Sequence, residues 1–123
     1  MGGRGSFCYP RAFAAVDADP AQLLLAVTHG PDVVGTAQLT EIPGLSRGGT
    51  TRLQVEAVRV RADLRGQGVG AALFGWAVDE ARRRGCALVQ LTTDIRRPEE
   101  HCFYERLGFT ASHVGYKLAL DGS

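Results

Sequence analysis

The sequence has few cysteines, no long apolar run and almost no surplus of charge, and each shortage removes a class of function. Cys8, Cys86 and Cys102 stand in no CxxC or Cys/His ligand spacing, so no metal is expected. Reduced, buried thiols are the plain reading, and they point to a cytoplasmic setting. No apolar stretch approaches the length that spans a bilayer, and residues 1–16 lack the long apolar segment of a secretory signal. Met1-Gly2 with Ser6 fits a myristoylation pattern only through a Gly and a Ser, too little to imply a membrane partner. The formal net charge is +1, which leaves no broad basic surface for nucleic acid. What remains is an ordinary globular composition, 45% apolar and 22% charged, in 123 residues. That is room for one domain with one core, and it favours a small-molecule partner.

Residues 1–22 carry Gly, Pro and scattered charge without a period and read as an irregular segment. Ala12–Val16 offers at most a short turn between Pro10 and Pro20. The core reads from residue 23 to 120. Leu23–Thr28 is an apolar run, His29-Gly30-Pro31-Asp32 a turn, and Val33–Ile42 an alternating strand, which together make a hairpin. Pro43–Thr51 is a loop and Arg52–Val60 a third strand.

The period then changes. Val69, Leu73, Trp76, Ala77 and Ala81 recur at three- and four-residue steps, predicting an amphipathic helix over 68–84. Arg82, Arg83 and Arg84 complement its C-terminal dipole, with Gly85 just beyond. Cys86–Thr92 is a strand-length apolar run. Pro98 opens a second helix beside Glu99 and Glu100, with Phe103 and Leu107 on its buried face and Gly108 at its end. Val114, Tyr116, Leu118 and Leu120 alternate into a final strand, with room for a short extra one near Phe109. The order β-β-β-α-β-α-β joins an antiparallel meander to one βαβ unit, an α+β fold with a mixed sheet in a single domain over 1–123.

Arg65–Ala71 connects a strand to a helix. A helix start leaves backbone N–H groups unpaired and concentrates positive potential, and glycines let that backbone approach an anion. A phosphate or pyrophosphate is therefore the natural ligand. A glycine-rich turn without a ligand is the plain alternative. Gly66-x-Gly68-x-x-Ala71 also satisfies the dinucleotide fingerprint, with Asp94 as its ribose acid. The strand before the loop belongs to a meander, however, and there is one βαβ unit where two are expected.

Arg65-Gly66-Gln67-Gly68-Val69-Gly70 resembles the R/Q-x-x-G-x-G/A motif of the GNAT acetyltransferase superfamily. Phe103-Tyr104-Glu105-Arg106-Leu107-Gly108-Phe109 resembles its F-Y-x-x-L-G-F signature. The likeness covers about residues 23–120. It implies a GNAT-like fold, acetyl-CoA as cosubstrate and the primary amine of a small molecule as acceptor. By the same resemblance, Arg65, Gly66, Gln67, Gly68, Val69, Gly70 and Ala71 hold the pyrophosphate. Val58 and Val60 present backbone N–H groups to the acetyl carbonyl and pantetheine, where an N–H stabilises a developing oxyanion.

An amine must lose its proton before it attacks a thioester, and the resemblance offers Glu56 as the base. A solvated or salt-bridged strand glutamate is the alternative. Tyr104 is implied as proton donor to the departing thiolate, since a phenol of pKa about 10 can serve a thiol of about 8.5. Its alternative is a helix tyrosine at the core edge. Many members place an Asn seven residues before this Tyr. Here it is Arg97, which either reaches toward a phosphate or leaves that contact absent. His29 reads as a solvated turn residue, His101 as a surface helix residue that could face cofactor or substrate, and His113 as a weak candidate for the acceptor end. Thr92 to Tyr104 is also similar to acetyltransferases of aminoalkylphosphonates, which points to small anionic amines.

No cysteine has a histidine partner, which argues for direct transfer in a ternary complex over a thiol relay. The other reading is a non-catalytic acyl-CoA-binding or assembly module on the same fold. The resembling fold opens with a strand and two helices that residues 1–22 do not supply. An uncovered edge at Leu23–Thr28 is therefore expected, and with it a homodimer in which a second chain covers that region.

Overall fold

The change of period after the third strand sets the architecture: an antiparallel meander needs only tight turns, whereas a parallel fourth strand needs a crossover helix. The structure, a computed structural model, describes residues 17–45 and 48–121. Cys8 and the turn expected at Ala12–Val16 lie outside them. Two compact units part between Leu91 and Thr92.

The first unit contains β1 (Gln22–His29), β2 (Asp32–Pro43), β3 (Thr51–Val60), a 3-10 turn at Ala62–Leu64, α1 (Val69–Arg83) and β4 (Leu88–Leu91). The sheet order is β1-β2-β3-β4. The first two pairings are antiparallel and β3–β4 is parallel. Gly30 and Pro31 make the two-residue turn between His29 and Asp32, which pair across the hairpin.

Side chains alternate between the two faces of the sheet. One face carries Ala37, Leu39, Leu53 and Val55, all buried, and α1 packs on β2, β3 and β4. Leu73, Phe74, Ala77 and Ala81 complete this core from the helix. Together with buried Glu80 they span an arc of about 120° on the helix surface. Trp76, expected on the apolar stripe, falls just outside that arc and is 43% exposed, while Phe74 takes the inner place.

Glu80 is only 5% exposed and would be costly to bury alone. Arg84 Nε donates to its Oε2 at 2.8 Å, and Arg83 donates to Oε1. These bonds, Arg84 first, hold the Glu80 carboxyl below the ordinary carboxylate range against the opposing effect of burial. Arg84 Nη1 also donates to Glu41 at 3.0 Å, tying the helix end to β2. The helix closes as Gly85 N–H donates to Arg82 O (3.1 Å) and Cys86 N–H to Ala81 O (2.9 Å). That ending needs Gly85 at φ +75, a left-handed conformation that glycine adopts without steric cost.

In the second unit, α2 (Pro98–Arg106) starts with Pro98 in its first turn beside Glu99 and Glu100. It ends as α1 does, with Gly108 N–H to Glu105 O (3.0 Å) and Phe109 N–H to Tyr104 O (3.1 Å). Phe103 is half-buried as expected, but Leu107 is 37% exposed because it lies beyond the last helical residue, in the turn. The largest departure from expectation is at the end. No strand forms over residues 109–121, neither the short one near Phe109 nor the alternating one at Val114–Leu120. Alternation makes a segment fit to be a strand, but the ladder bonds must come from a neighbour.

Candidate functional site

β4 accompanies β3 only from Arg52 to Val55, where Leu91 is the last partner. Glu56–Val60 therefore runs on with no strand among the described residues on that side. In the same stretch the β2–β3 register jumps from Gln38–Glu56 to Thr36–Arg59. Ala57 and Val58 thus face the single residue Ala37, a β-bulge. Ala57 has φ +54, the one non-glycine in the left-handed region among the described residues. Such a conformation costs roughly 1–2 kcal/mol and is imposed here by pairing on both sides. Arg61 N–H donates to Val34 O at 2.8 Å. By strand alternation, the backbone polar groups of Val60 and Val58 point the other way, toward the side that β4 has left.

The chain then passes through the 3-10 turn into Arg65–Gly68 and α1. The first hydrogen bond of α1 runs from Ala72 N–H to Gly68 O at 3.0 Å. The N–H groups of Val69, Gly70 and Ala71 precede it and have no acceptor within the helix. No side chain caps this end, where Gly68 is the N-cap at φ +86. A Cβ built on Gly66 or Gly68 would meet nothing within 4 Å. Open space therefore lies before a backbone that concentrates positive potential. Arg65 is exposed beside it, and Gln67 Nε2 donates to Asp63 O at 3.3 Å. Arg61 is committed elsewhere, to Asp63 at 2.7 Å and Asp32 at 3.7 Å.

Glu56 is exposed on the sheet face opposite α1. Its Oε1 lies 3.4 Å from Gln54 Nε2 and 3.5 Å from Thr40 Oγ1. These neighbours belong to a polar row that motif reading did not single out. Gln22, Thr40, Gln54 and Gln90 stand in register across all four strands. Thr40 Oγ1 and Gln38 Nε2 each lie 2.9 Å from Gln22 Oε1, and Gln90 Nε2 donates to Gln54 Oε1 at 2.8 Å. The signal for this row was present as amide and hydroxyl residues at alternate strand positions. The bulge at Ala57 has no such signal, because Val55-Glu56-Ala57-Val58 reads as uninterrupted strand.

In the second unit Tyr104 is half-buried, edge-on to Phe103 (5.3 Å between centroids) and Phe109 (6.1 Å). Burial, and then the charge of Glu100, push its hydroxyl above the ordinary tyrosine range. Glu100 accepts from Thr93 Oγ1 at 2.8 Å and from Arg97 Nη1 at 3.1 Å, and these bonds keep it ionised. Arg97, the N-cap of α2, is otherwise exposed. Asp94 is held well below the usual carboxylate range by the side chain and backbone N–H of Arg96.

His101 Nε2 lies 3.0 Å from Asp94 O, so the ring braces the turn before α2. His29 is exposed, and His113 is exposed beside Ser112 Oγ at 2.7 Å. Of the described cysteines, Cys86 is half-buried and Cys102 exposed, so the expectation of buried thiols fails at Cys102, which lies on a face of α2 that carries no core. Among the described residues no group of His, Cys, Asp and Glu is placed to hold a metal ion.

A bulged strand, paired on one side only, that leads into a glycine-cradled helix start is an arrangement that known families can be asked about. The model of the acetyltransferase (GNAT) family matches residues 4–109. The chain belongs to the GNAT family. Among GNAT relatives, it is 39% identical over 67 residues to the aminoalkylphosphonate N-acetyltransferase of Salmonella typhimurium, covering 54% of this chain and 44% of that protein. It is 35% identical over 88 residues to the glucosamine 6-phosphate N-acetyltransferase of Trypanosoma brucei brucei, covering 72% of this chain and 58% of that one. The chain thus spans about half the length of these curated relatives. In structure it is similar to a transcriptional regulator from Bacillus halodurans C-125, with TM-score 0.88 and 44% identity over 91% of this chain and 75% of the other. The α+β, mixed-sheet GNAT-like fold read from the sequence is the fold of this protein.

Proposed function

We propose that this GNAT-family chain is an N-acetyltransferase that moves the acetyl group of acetyl-CoA directly to the primary amine of a small molecule in a ternary complex. The observation that carries this reading is the junction of β3 and α1, where a bulge, an open strand side and an uncapped glycine turn succeed one another within residues 56–71. The open space at Gly66 and Gly68 fits a pyrophosphate. Gly66, Gly68, Val69, Gly70 and Ala71 offer it backbone N–H groups and Arg65 its guanidinium, while the Gln67 N–H donates to Leu64 O at 3.2 Å and so braces the turn. Val58 and Val60 direct backbone N–H groups to the acyl carbonyl and pantetheine, where charge develops as the amine attacks. Arg97 spends one donor on Glu100; its motif position alone offers it to a phosphate, the other reading being that this contact is absent.

When bound, acetyl-CoA supplies an acetyl group activated as a thioester. Glu56 takes the proton that the amine must lose, directly or through water. Tyr104 Oη carries its proton at neutral pH as an ordinary tyrosine does, burial and Glu100 shifting it further in that direction, and gives it up to the departing thiolate. Burial pushes the Cys86 thiol up, away from the thiolate that a relay would need, and this reading gives it no part in the transfer. The two curated relatives are named for substrates that pair an amine with a phosphonate or phosphate. A small anionic amine is accordingly the acceptor class we assign, in a cytoplasmic setting.

The test is release of free thiol from acetyl-CoA with a panel of aminoalkylphosphonates, amino-sugar phosphates and neutral amines. We expect release with the anionic amines, and a Tyr104→Phe loss of roughly ten- to a thousand-fold in turnover with acetyl-CoA affinity unchanged. Unchanged turnover removes Tyr104 from the chemistry, and a Glu56→Gln pH–rate profile identical to wild type removes Glu56. The similarity to a protein described as a transcriptional regulator favours one alternative, a non-catalytic acyl-CoA-binding module. Tight acetyl-CoA binding with no thiol release on any amine would select it.

A further inference from the structure

Glu56 and Arg59 stand three positions apart in β3, and in a regular strand an odd step sends two side chains to opposite faces. The bulge changes that outcome. Glu56 pairs with Gln38 and Arg59 with Thr36, so Ala57 and Val58 together take the place of one residue. Gln38 and Thr36 share the face of β2 that looks away from α1, and directly paired residues share a face. Glu56 and Arg59 therefore occupy neighbouring places on one face, with Cα atoms about 7 Å apart. The next pair, Val60 with Gly35, returns to the α1 side, where a Cβ on Gly35 would meet Val69 Cγ1 at 3.1 Å. The strained Ala57, at φ +54, thereby acquires a use, since it brings Arg59 to the Glu56 face.

Opposite charges so placed could neutralise each other, but these do not pair. Glu56 Oε1 accepts only the long bonds from Gln54 and Thr40. Arg59 Nη1 donates to the carbonyl of its neighbour Val58 at 2.9 Å, and no carboxylate among the described residues of the first unit pairs with it. Other arginines of this unit are held: Arg61 by Asp63 at 2.7 Å and Asp32 at 3.7 Å, Arg84 by Glu80 and Glu41. Thr36 Oγ1, across the pairing from Arg59, also has no bond among these residues. A carboxylate and a guanidinium held apart on one face complement a molecule with a cation at one end and an anion at the other. Arg52 shares the face but lies beyond Gln54, about 13 Å from Glu56 along β3.

We propose that Arg59 binds the anionic group of the acceptor, a phosphonate or phosphate, while Glu56 faces its ammonium and Thr36 Oγ1 adds a donor to the anion. The inference rests on the acetyl-transfer reading above and narrows its acceptor to amines that carry the anion a short carbon chain from nitrogen. A guanidinium presents paired N–H donors in one plane, which two oxygens of a phosphonate or phosphate accept together. One donor goes to Val58 O, and the rest are uncommitted within the first unit. Val58 lies between the two charged residues in the chain, and its N–H is the one assigned to the acyl carbonyl. An acceptor that bridges Glu56 and Arg59 is thus held beside the acyl group, with its amine at the base.

The test compares acetyl transfer to aminoethylphosphonate, phosphoethanolamine and neutral propylamine by the full chain and its Arg59→Ala, Arg59→Lys and Arg52→Ala variants. Calorimetry follows binding of the two anionic amines to each. Arg59→Ala is expected to raise KM for the anionic amines roughly ten- to a hundred-fold, with KM for propylamine and for acetyl-CoA unchanged. Arg59→Lys should recover part of the loss, and the lower of the two wild-type KM values tells phosphonate from phosphate. Unchanged KM for both anionic amines, an equal rise for propylamine, a rise confined to acetyl-CoA, or a loss found with Arg52→Ala instead would each overturn the proposal. Should Arg59→Ala not fold, the Arg59 Nε–H resonance of the wild type decides, since it must shift with the anionic amines and hold still with propylamine. The two readings fail separately. Binding of an anionic amine that needs Arg59, without thiol release on any amine, would end the transfer reading and keep this one. Transfer to an anionic amine with Arg59→Ala at wild-type KM would do the reverse.

Discussion

β2 and residues 113–120 carry the same pattern to opposite ends. In β2, Gly35, Ala37, Leu39 and Glu41 face α1, with Ala37 and Leu39 buried, while Thr36, Gln38 and Thr40 face away. In the C-terminal segment the alternation is at least as regular, yet every apolar member is exposed. The difference lies in the neighbours. β2 has β1 and β3 on either side and a helix above one face, whereas the segment joins no sheet. Alternation is a property of one chain segment, but a strand is a property of at least two.

Substitutions on the two sides of this contrast should separate by size. Leu53→Ala removes a side chain only 1% exposed beneath α1. It is expected to cost about 2–5 kcal/mol, read as a lower urea midpoint with the slope unchanged. A loss below about 1 kcal/mol would mean that this face is not the principal core.

Glu80→Gln probes the polar closure of the same core and is expected to cost about 1–3 kcal/mol at neutral pH. The folded-state pKa of Glu80 lies below its ordinary value of 4.5. Its contribution is therefore full above that value and is lost as pH falls through the folded pKa. The gap between wild type and variant should narrow on acidification below about pH 4.5, and a gap constant from pH 7 to pH 3 would remove the charge from the account.

Leu118→Ala should have the smallest effect, within about 0.5 kcal/mol, because the Leu118 side chain is exposed. A large loss would show that Leu118 packs against the rest of its own chain.

Most of the candidate site was legible as motif, and part of it was not legible at all. Arg65–Ala71 could be read because glycines at a strand-to-helix junction have one evident physical use, an approachable backbone. Tyr104 could be named from its motif, but its raised pKa depends on its burial and on Glu100, one helical turn away. The bulge at Ala57 is set by β2 pairing at Gln38 on one side and Thr36 on the other, and no residue in Val55–Val60 announces it. The polar row of Gln22, Thr40, Gln54 and Gln90 becomes visible only when four separate strands are brought into register.

The sequence by itself determined the elements whose causes are local. Gly85 and Gly108 end the two helices, Pro98 starts the second, Gly30-Pro31 turns the hairpin, and the move from period two to period 3.6 marks α1. These are decided within a few residues by φ preferences, missing donors and the repeat of a single helix or strand. Tertiary structure decided which of two adjacent aromatic positions, Phe74 or Trp76, enters the core. It also decided where β3 bulges and loses β4, and whether an alternating segment becomes a strand. Each of those outcomes is a contact between residues far apart in the chain, and its free energy exists only once both sides are in place.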